Sequence, residues 1–305
     1  MPALPRYPVY IPSKGRYAEC LTAQFLIKDK VPFHIVVEPQ EAGEYTSRFG
    51  SESVLTLPWD NPGSVIPARN WIKEHATAQG YERHWQIDDN CTGVMRIWKG
   101  RKMWCPAGAG LALTEDFVDR YENVAVAGLN YEMFISSYKG DRLPPFTINR
   151  HVYSCTLTLN SLPYRWRGRY NEDADYCLQA LAGGWCTLLM NTVVIKKTTT
   201  MMMGGGNTET LYQNDGRLNM AKSLERQWPG VVRVRRRWGR PQHVLDWTKF
   251  DTPLKRRADV EIPDEPNEYG MVLRRVKPKR NDSTNEDYVE GVLVDERDTG
   301  GTRGV

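Results

Sequence analysis

Up to residue 90 the chain alternates short apolar runs with stretches whose apolar positions recur at helical spacing. YPVYIPSKGRY opens with Val9–Ile11, which reads as a buried strand ending in a polar loop, and AECLTAQFLIKDK follows as a helix. PFHIVVEPQEAGEY supplies a second buried strand that ends at Glu38, and VLTLPW a third. PGSVIPARNWIKEHATAQG reads as a loop and a helix closing near Gly80. RHWQIDDN reads as a strand with an acidic cluster at its carboxyl end. Strands separated by helices predict an α/β fold with a mainly parallel sheet. Ligands of open α/β sheets sit beyond the carboxyl ends of the strands. The Ser13–Arg16 loop, Glu38 and Asp88–Asn90 all fall at such ends, so they are expected to meet at one edge.

The rest of the chain is less regular. VAVAGLNYEMF is a strand, and TINRHVYSCTLTLNSL holds one or two more, antiparallel. NEDADYCLQALAGG reads as a helix, with acids in its first turn and Gly183–Gly184 as its stop. CTLLMNTVVIKK is a strand, and LNMAKSLERQWPG a helix ended by Pro229–Gly230. TTTMMMGGGNTETLY is a glycine-rich loop, either a linker or a lid. From about Thr252 charge and proline dominate, with strand-like fragments in YGMVLRR and YVEGVLV, so residues 251–305 read as a peripheral extension with a disordered tail.

Composition narrows the class. Hydrophobic residues make up 40% and charged residues 26%, an ordinary globular balance. No apolar run reaches the roughly 18 residues that a membrane helix requires, and the N-terminal stretch enters a strand pattern too early for a secretory signal. A soluble intracellular protein without membrane contact is expected. Cys20, Cys91, Cys105, Cys155, Cys177 and Cys186 form no Cys-x-x-Cys pair, which argues against zinc and for reduced, mostly buried thiols. From Asp251 onward, ten Lys/Arg face thirteen Asp/Glu, so the net charge of +4 comes entirely from the first 250 residues. A positive body suits a polyanionic partner.

Asp88, Asp89 and Asn90 are either a solvated acidic turn or oxygen ligands for a hard divalent cation that also grips a diphosphate. Glu172, Asp173 and Asp175 either cap and favour a helix start or place a general base at a cleft. Lys14 and Arg16 flank Gly15 without forming a Walker A loop, and Arg69 and Asn70 stand near a helix N-terminus, a natural anion site. VRVRRRWGRPQH interleaves Arg233, Arg235, Arg236, Arg237 and Arg240 with Trp238, a mixture suited to nucleic-acid backbone and base stacking or to a solvated face. Lys196 and Lys197 add charge before the glycine-rich loop, and His243 is a candidate diphosphate or metal contact.

Taken in order, PVYIPSKGR, Glu38, ARN, QIDDN, NEDADYCLQAL, KKTTTMMMGGGNTETLY, LERQWPG and WGRPQHVLDW resemble the TET-associated glycosyltransferases of bacteriophages, from about Tyr7 to Phe250. These are similar to the enzyme that glucosylates base J. The resemblance implies a GT-A-type fold, a Rossmann-like and mostly parallel sheet flanked by helices. It implies a catalytic domain over 1–250, split into a nucleotide-binding half, 1–90, and an acceptor half, 91–250. It further implies transfer from a UDP-sugar to 5-hydroxymethylcytosine or a related base in phage DNA, assisted by Mn2+ or Mg2+. The hydroxyl would be made by a TET/JBP-type dioxygenase, in the cytoplasm of the infected host. By residue, Asp88, Asp89 and Asn90 match the metal motif, with Asn90 where the family carries an acid. Pro12, Ser13, Lys14, Arg16, Glu38, Arg69, Asn70 and Asp88 would line the nucleotide-sugar. Asp173 is the expected general base, with Glu172 next and Asp175 beside them. Lys196, Lys197 and the arginine run around Trp238 would hold DNA. A metal-dependent nuclease or nucleotidyltransferase, and a non-catalytic DNA-binding protein on a transferase fold, are the rival readings.

Overall fold

Four short strands with helices between them build the first half of the molecule: β1 (Val9–Pro12), β2 (His34–Val37), β3 (Val54–Thr56) and β4 (Arg83–Ile87). Helices α1 (Leu21–Lys28), α2 (Ala42–Phe49) and α3 (Ile66–Ala78) connect them. The computed structural model describes residues 3–60, 63–135, 144–198, 216–237, 239–260, 272–273 and 291–292. The second half contributes β5 (Cys91–Trp98), β6 (Arg101–Cys105), α4 (Ala107–Val118), β7 (Val124–Tyr131), β8 (Phe146–Ile148), β9 (Cys155–Leu159), α5 (Glu172–Ala182) and β10 (Cys186–Lys197). Helix α6 (Gly216–Gln227) and the hairpin β11 (Val232–Arg237) and β12 (Arg240–Leu245) follow. Two-residue strands β13 (Val272–Leu273) and β14 (Gly291–Val292) pair with each other.

One sheet runs through both halves in the order β3-β2-β1-β4-β9-β7-β10-β5-β6, with β8 also on β10. The pairings of β1, β2, β3 and β4 are all parallel. β9 is antiparallel to both β4 and β7, and β10 runs parallel to β7. Strands β1, β2, β3, β4, β6, β7 and β10 therefore point one way, and β5, β8 and β9 the other. The expected mostly parallel sheet is present in this sense, with its antiparallel members inserted in the second half. That direction matters for the site, because β9 and β5 begin at the edge where the parallel strands end.

β4 is buried along its whole length, and its two faces do different work. Trp85 lies in the main core and donates Nε1–H to Glu115 on α4 at 2.8 Å. Gln86 and His84 point the other way into a buried polar relay. His84 contacts Asn160 through Nδ1 at 2.5 Å and accepts from Gln86 Nε2 at 2.8 Å. Burial lowers the His84 pKa to about 4, so the ring is neutral, with Nδ1 carrying its proton. Arg69 Nη1 in turn donates to Gln86 Oε1 at 3.1 Å.

The start of the expected extension is hydrogen-bonded to the body. Asn123 and Asn149 donate side-chain N–H to the carbonyls of Pro253 and Thr252, at 2.8 and 2.9 Å, and Arg257 N–H reaches the Arg120 carbonyl at 2.9 Å. No helix among the described residues is long and apolar enough to cross a membrane, and the six cysteines are free.

Gly128 on β7 has no room for a side chain. A Cβ there would press into the Cys155 carbonyl oxygen and lie 2.5 Å from Val152 Cγ1. Gly128→Ala is expected to cost about 1–3 kcal/mol through overpacking, measured as a lowered urea midpoint with an unchanged slope.

Candidate active site

The carboxyl end of β4 delivers Asp88, Asp89 and Asn90 into a turn pinned from α1. Thr22 N–H donates to the Asp89 carbonyl at 3.1 Å, and Thr22 Oγ1 donates to the Asp88 carbonyl at 2.5 Å. The two carboxylates then diverge. Asp88 Oδ1 accepts from Arg69 Nη2 at 2.8 Å, and Oδ2 accepts from Ser154 Oγ and Lys197 Nζ, each at 2.7 Å. Lys197 also donates to Ser154 Oγ at 2.8 Å, and Tyr131 donates its hydroxyl to the same oxygen. Burial works to raise the Asp88 pKa, but Lys197 and Arg69 outweigh it and hold the carboxyl well below the usual carboxylate range. Ser154, just before β9, sits at φ 58°, a left-handed conformation that a non-glycine residue adopts at a cost of order 1–3 kcal/mol.

Asp89 turns instead toward the loop after β1. Its Oδ1 meets Arg16 Nη1 at 2.5 Å, and its Oδ2 accepts from Ser13 Oγ at 2.8 Å. Tyr45 on α2 completes this knot: its hydroxyl donates to Ser13 Oγ at 2.7 Å and accepts Arg16 N–H at 3.0 Å. Pro12 ends β1 in register with Val36, and Ser13 N–H donates to the Val36 carbonyl at 3.1 Å, so the loop after β1 runs beside the end of β2 and brings Lys14 to Glu38. Glu38 is buried, with Lys14 Nζ at 2.6 Å on one oxygen and Gln40 Nε2 at 2.5 Å on the other. Gly15 N–H donates to Glu41 at 2.7 Å.

The start of α5 meets the same edge through Arg69, whose Nε lies 3.6 Å from Glu172 Oε1. Burial and the neighbouring Asp173 raise the Glu172 carboxyl above the usual range, against the pull of Arg69. Asp173 behaves oppositely: burial would raise it, but His151 holds it low. His151 Nε2 is 3.2 Å from Asp173 Oδ2, within ion-pair distance but turned off the line of a hydrogen bond. Asp173 Oδ1 accepts Ala174 N–H at 2.8 Å, which gives the capping reading part of its due. Asn171 does not cap the helix: it is left-handed, at φ 54°, and donates to the Met220 carbonyl at 2.8 Å. Beside His151 stands an aromatic shelf. Tyr153 lies 5.1 Å from His151 and 4.4 Å from Tyr131, and Phe134, 58% exposed, lies 5.5 Å from Tyr131.

Several expected residues have other work. Asp175 is fully buried and accepts from Arg167 at 2.9 and 3.1 Å, from Gln179 at 2.8 Å and from Trp228 Nε1 at 2.8 Å. Its four bonds tie α5 to a loop and to the end of α6, leaving no oxygen for an acceptor. Asn70 exchanges two hydrogen bonds with the Trp166 backbone, at 2.8 and 3.0 Å, and so fixes a loop. Lys197 is directed inward onto Asp88 rather than outward. Strand alternation puts Arg233, Arg235 and Arg240 on the outer face of the β11–β12 hairpin. All three are exposed, as is Arg236, which donates Nε–H to the Gly239 carbonyl at 3.2 Å. His243 pairs with Val234 on the opposite face, half-buried, and its pKa is lowered by partial burial and by His151. Trp238, the Arg237 side chain and the loop 199–215 lie outside the described residues.

Sequence reading missed Tyr45, Tyr131, His151 and Ser154. The usable signal was HVYS ahead of an antiparallel strand, whose start shares the edge where parallel strands end.

A hard cation fits part of the acidic turn. Asn90 Oδ1 is buried without a hydrogen-bond partner, an orphaned oxygen of the kind such an ion satisfies. Asp88 offers a carboxylate already attended by two cations, and Asp89 is committed to Ser13 and Arg16. Among the described residues no group of three His, Cys, Asp or Glu side chains forms a metal set.

The family model described as TET-Associated Glycosyltransferase matches residues 7–206. No curated protein sequence matches the chain. Among solved structures, the inositol-1-phosphate CTP transferase from T. maritima aligns with a TM-score of 0.34 and 10% identity, over 65% of this chain and 91% of that one. A likeness this slight carries no argument about fold or function.

The depressed Asp88 carboxyl sets a pH dependence. Its stabilisation is present above the unfolded aspartate pKa, near pH 4, and is lost as pH falls toward the folded value. Asp88→Asn is therefore expected to lower the urea midpoint most at pH 7, with the difference from wild type shrinking only below about pH 4.

Proposed function

Because the chain belongs to the TET-associated glycosyltransferase family, it is a glycosyltransferase, and we propose that it moves a sugar from a UDP-sugar to the hydroxyl of 5-hydroxymethylcytosine, or a related hydroxylated base, in phage DNA. The observation that carries this reading is the meeting, at one sheet edge, of a cationic cluster with a carboxyl of raised pKa. Arg69 joins the two, touching Asp88 at 2.8 Å and standing 3.6 Å from Glu172.

In this reading the Ser13–Arg16 loop and Glu38 receive the nucleotide. Arg69, Lys197 and Arg16 stand preorganised around the place where negative charge grows on the departing diphosphate. Asp88 orients Arg69 and Lys197. Glu172 takes the acceptor hydroxyl proton, because a base whose pKa is raised toward neutrality is better matched to that task than one held low. Asp173, the first candidate from the sequence, stands 3.2 Å from His151, which holds its carboxyl low and so suits it less to that task. A bound Mn2+ or Mg2+ would be held by Asp88 and Asn90 and would add further neutralisation of the diphosphate.

The acceptor hydroxymethyl group is inaccessible inside a stacked duplex, so the base must be extruded or offered single-stranded. The shelf of Phe134, Tyr131 and Tyr153 supports this step by offering ring faces beside His151 and Asp173. The exposed arginines of the β11–β12 hairpin suit the DNA backbone. A TET/JBP-type dioxygenase would supply the hydroxylated base in the infected host.

Mass spectrometry of nucleosides from 5-hydroxymethylcytosine DNA, incubated with a panel of UDP-sugars, tests the reading. A sugar adduct on the modified cytosine is expected, and absence of any adduct across the panel overturns it. Glu172→Gln is expected to lower transfer by about 10²–10⁴-fold while UDP-sugar still binds. Wild-type rate should rise with pH as Glu172 loses its proton, at a pH above the ordinary carboxylate range, and the variant should lack that limb. For the cation, Asn90→Ala is expected to weaken Mn2+ binding, measured by titration calorimetry, by about tenfold or more. An unchanged Mn2+ affinity excludes Asn90 as a ligand.

A further inference from the structure

The chain between Cys91 and Cys105 was not given a role by its sequence, and it folds into an arm. β5 leaves the acidic turn directly, and β6 returns antiparallel as the last strand of the sheet. The segment carries Arg96, Lys99, Arg101 and Lys102 and no carboxylate. Two of its large apolar side chains are open: Trp104 is 59% exposed and its neighbour Met103 44%. Cations stand against the indole faces. Lys196 Nζ lies 5.4 Å from the centre of the Trp104 ring, and Arg96 Cζ and Lys99 Nζ lie 5.4 and 5.9 Å from that of Trp98. Trp104 also lies over Gly93, where a Cβ would come within 2.7 Å of the ring. Gly93 is the register partner of Lys196, one residue before the Lys197 that holds Asp88.

An exposed indole edged by cations is costly to leave in water and has two features that one partner satisfies together: phosphates for the cations and base faces for the ring. We infer that the β5–β6 arm is a second nucleic-acid surface, on which an unpaired base next to the acceptor nucleotide stacks against Trp104 while Lys196 meets the adjoining phosphate. The arm is rooted at the acidic turn, so a strand whose acceptor base enters the site has this surface within reach. The inference rests on the DNA-acceptor reading above, and it differs from the β11–β12 arginine face in supplying stacking as well as charge.

The test is fluorescence anisotropy of the full-length protein with a fluorescein-labelled single-stranded oligonucleotide, a duplex of the same sequence and vesicles containing phosphatidylserine. Trp104→Ala should weaken single-strand binding about tenfold or more. Trp104→Phe should restore most of it, which a general loss of structure would not permit. Lys196→Ala should reduce the slope of log K against log salt by about one. Wild-type affinity in Trp104→Ala overturns the proposal, and so does loss of vesicle binding with oligonucleotide binding intact, which would mark a lipid surface. The two readings fail separately. Trp104-dependent oligonucleotide binding without any sugar transfer removes only the glycosylation reading. Transfer whose KM for DNA ignores Trp104→Ala removes only this one.

Discussion

Arg69 is the point on which the edge of the sheet depends. Its guanidinium is buried and touches Asp88 and Gln86, with Glu172 close by, so one side chain from α3 spans the ends of β4 and α5. Guanidinium has fixed planar geometry and does not lose its proton, so it imposes both distance and charge on what surrounds it. A buried cation of this kind is tolerable only when paired and hydrogen-bonded. Asp88 provides the pairing. The neutral relay of Gln86, His84 and Asn160 takes one further N–H without adding another charge, and Nε, 3.6 Å from Glu172, makes no hydrogen bond.

That arrangement explains why neighbouring carboxylates differ so much. Asp88 has two cations and a hydroxyl, so its charged form is favoured despite burial. Glu172 shares Arg69 with Asp88, stands next to Asp173 and is largely withdrawn from water, so its charged form is disfavoured. Asp173 is one residue further on, yet His151 stabilises its charge. Two adjacent acids with pKa values pushed apart are what division of labour at a proton-transfer site requires. The same accounting makes Asp175 structural, since all its oxygen capacity is spent within the fold.

Much of the fold could be read from local periodicity. Runs such as YPVYI, FHIVV and RHWQI are short, apolar and closed by polar loops, and strand-end placement of Ser13, Glu38 and Asp88 followed from chain direction alone. The site was legible only as far as position. Nothing local in IDDN says that Asp88 and Asp89 face different partners, because that depends on Thr22, Arg69 and Lys197 from three other elements. His151 was hidden for a related reason: its relevance comes from an antiparallel strand starting at the edge where the others end. The β5–β6 arm was missed because β6, the last strand of the sheet, has no buried side and leaves no period to detect.

The lysine pair at the end of β10 joins these observations. In sequence Lys196 and Lys197 are two equivalent charges before a glycine-rich loop. In the sheet a register shift falls between them: Lys196 pairs with Gly93, and Lys197 with Cys91. The extra residue, Thr92, lies on β5, and the two lysines, being successive strand residues, point to opposite faces. Lys197 accordingly enters the buried network on Asp88, where its charge is raised in affinity for its proton by that carboxylate even though burial opposes it. Lys196 instead reaches the Trp104 ring on the arm. Strand alternation thus divides a doubled lysine between the chemistry at the acidic turn and the surface beside it.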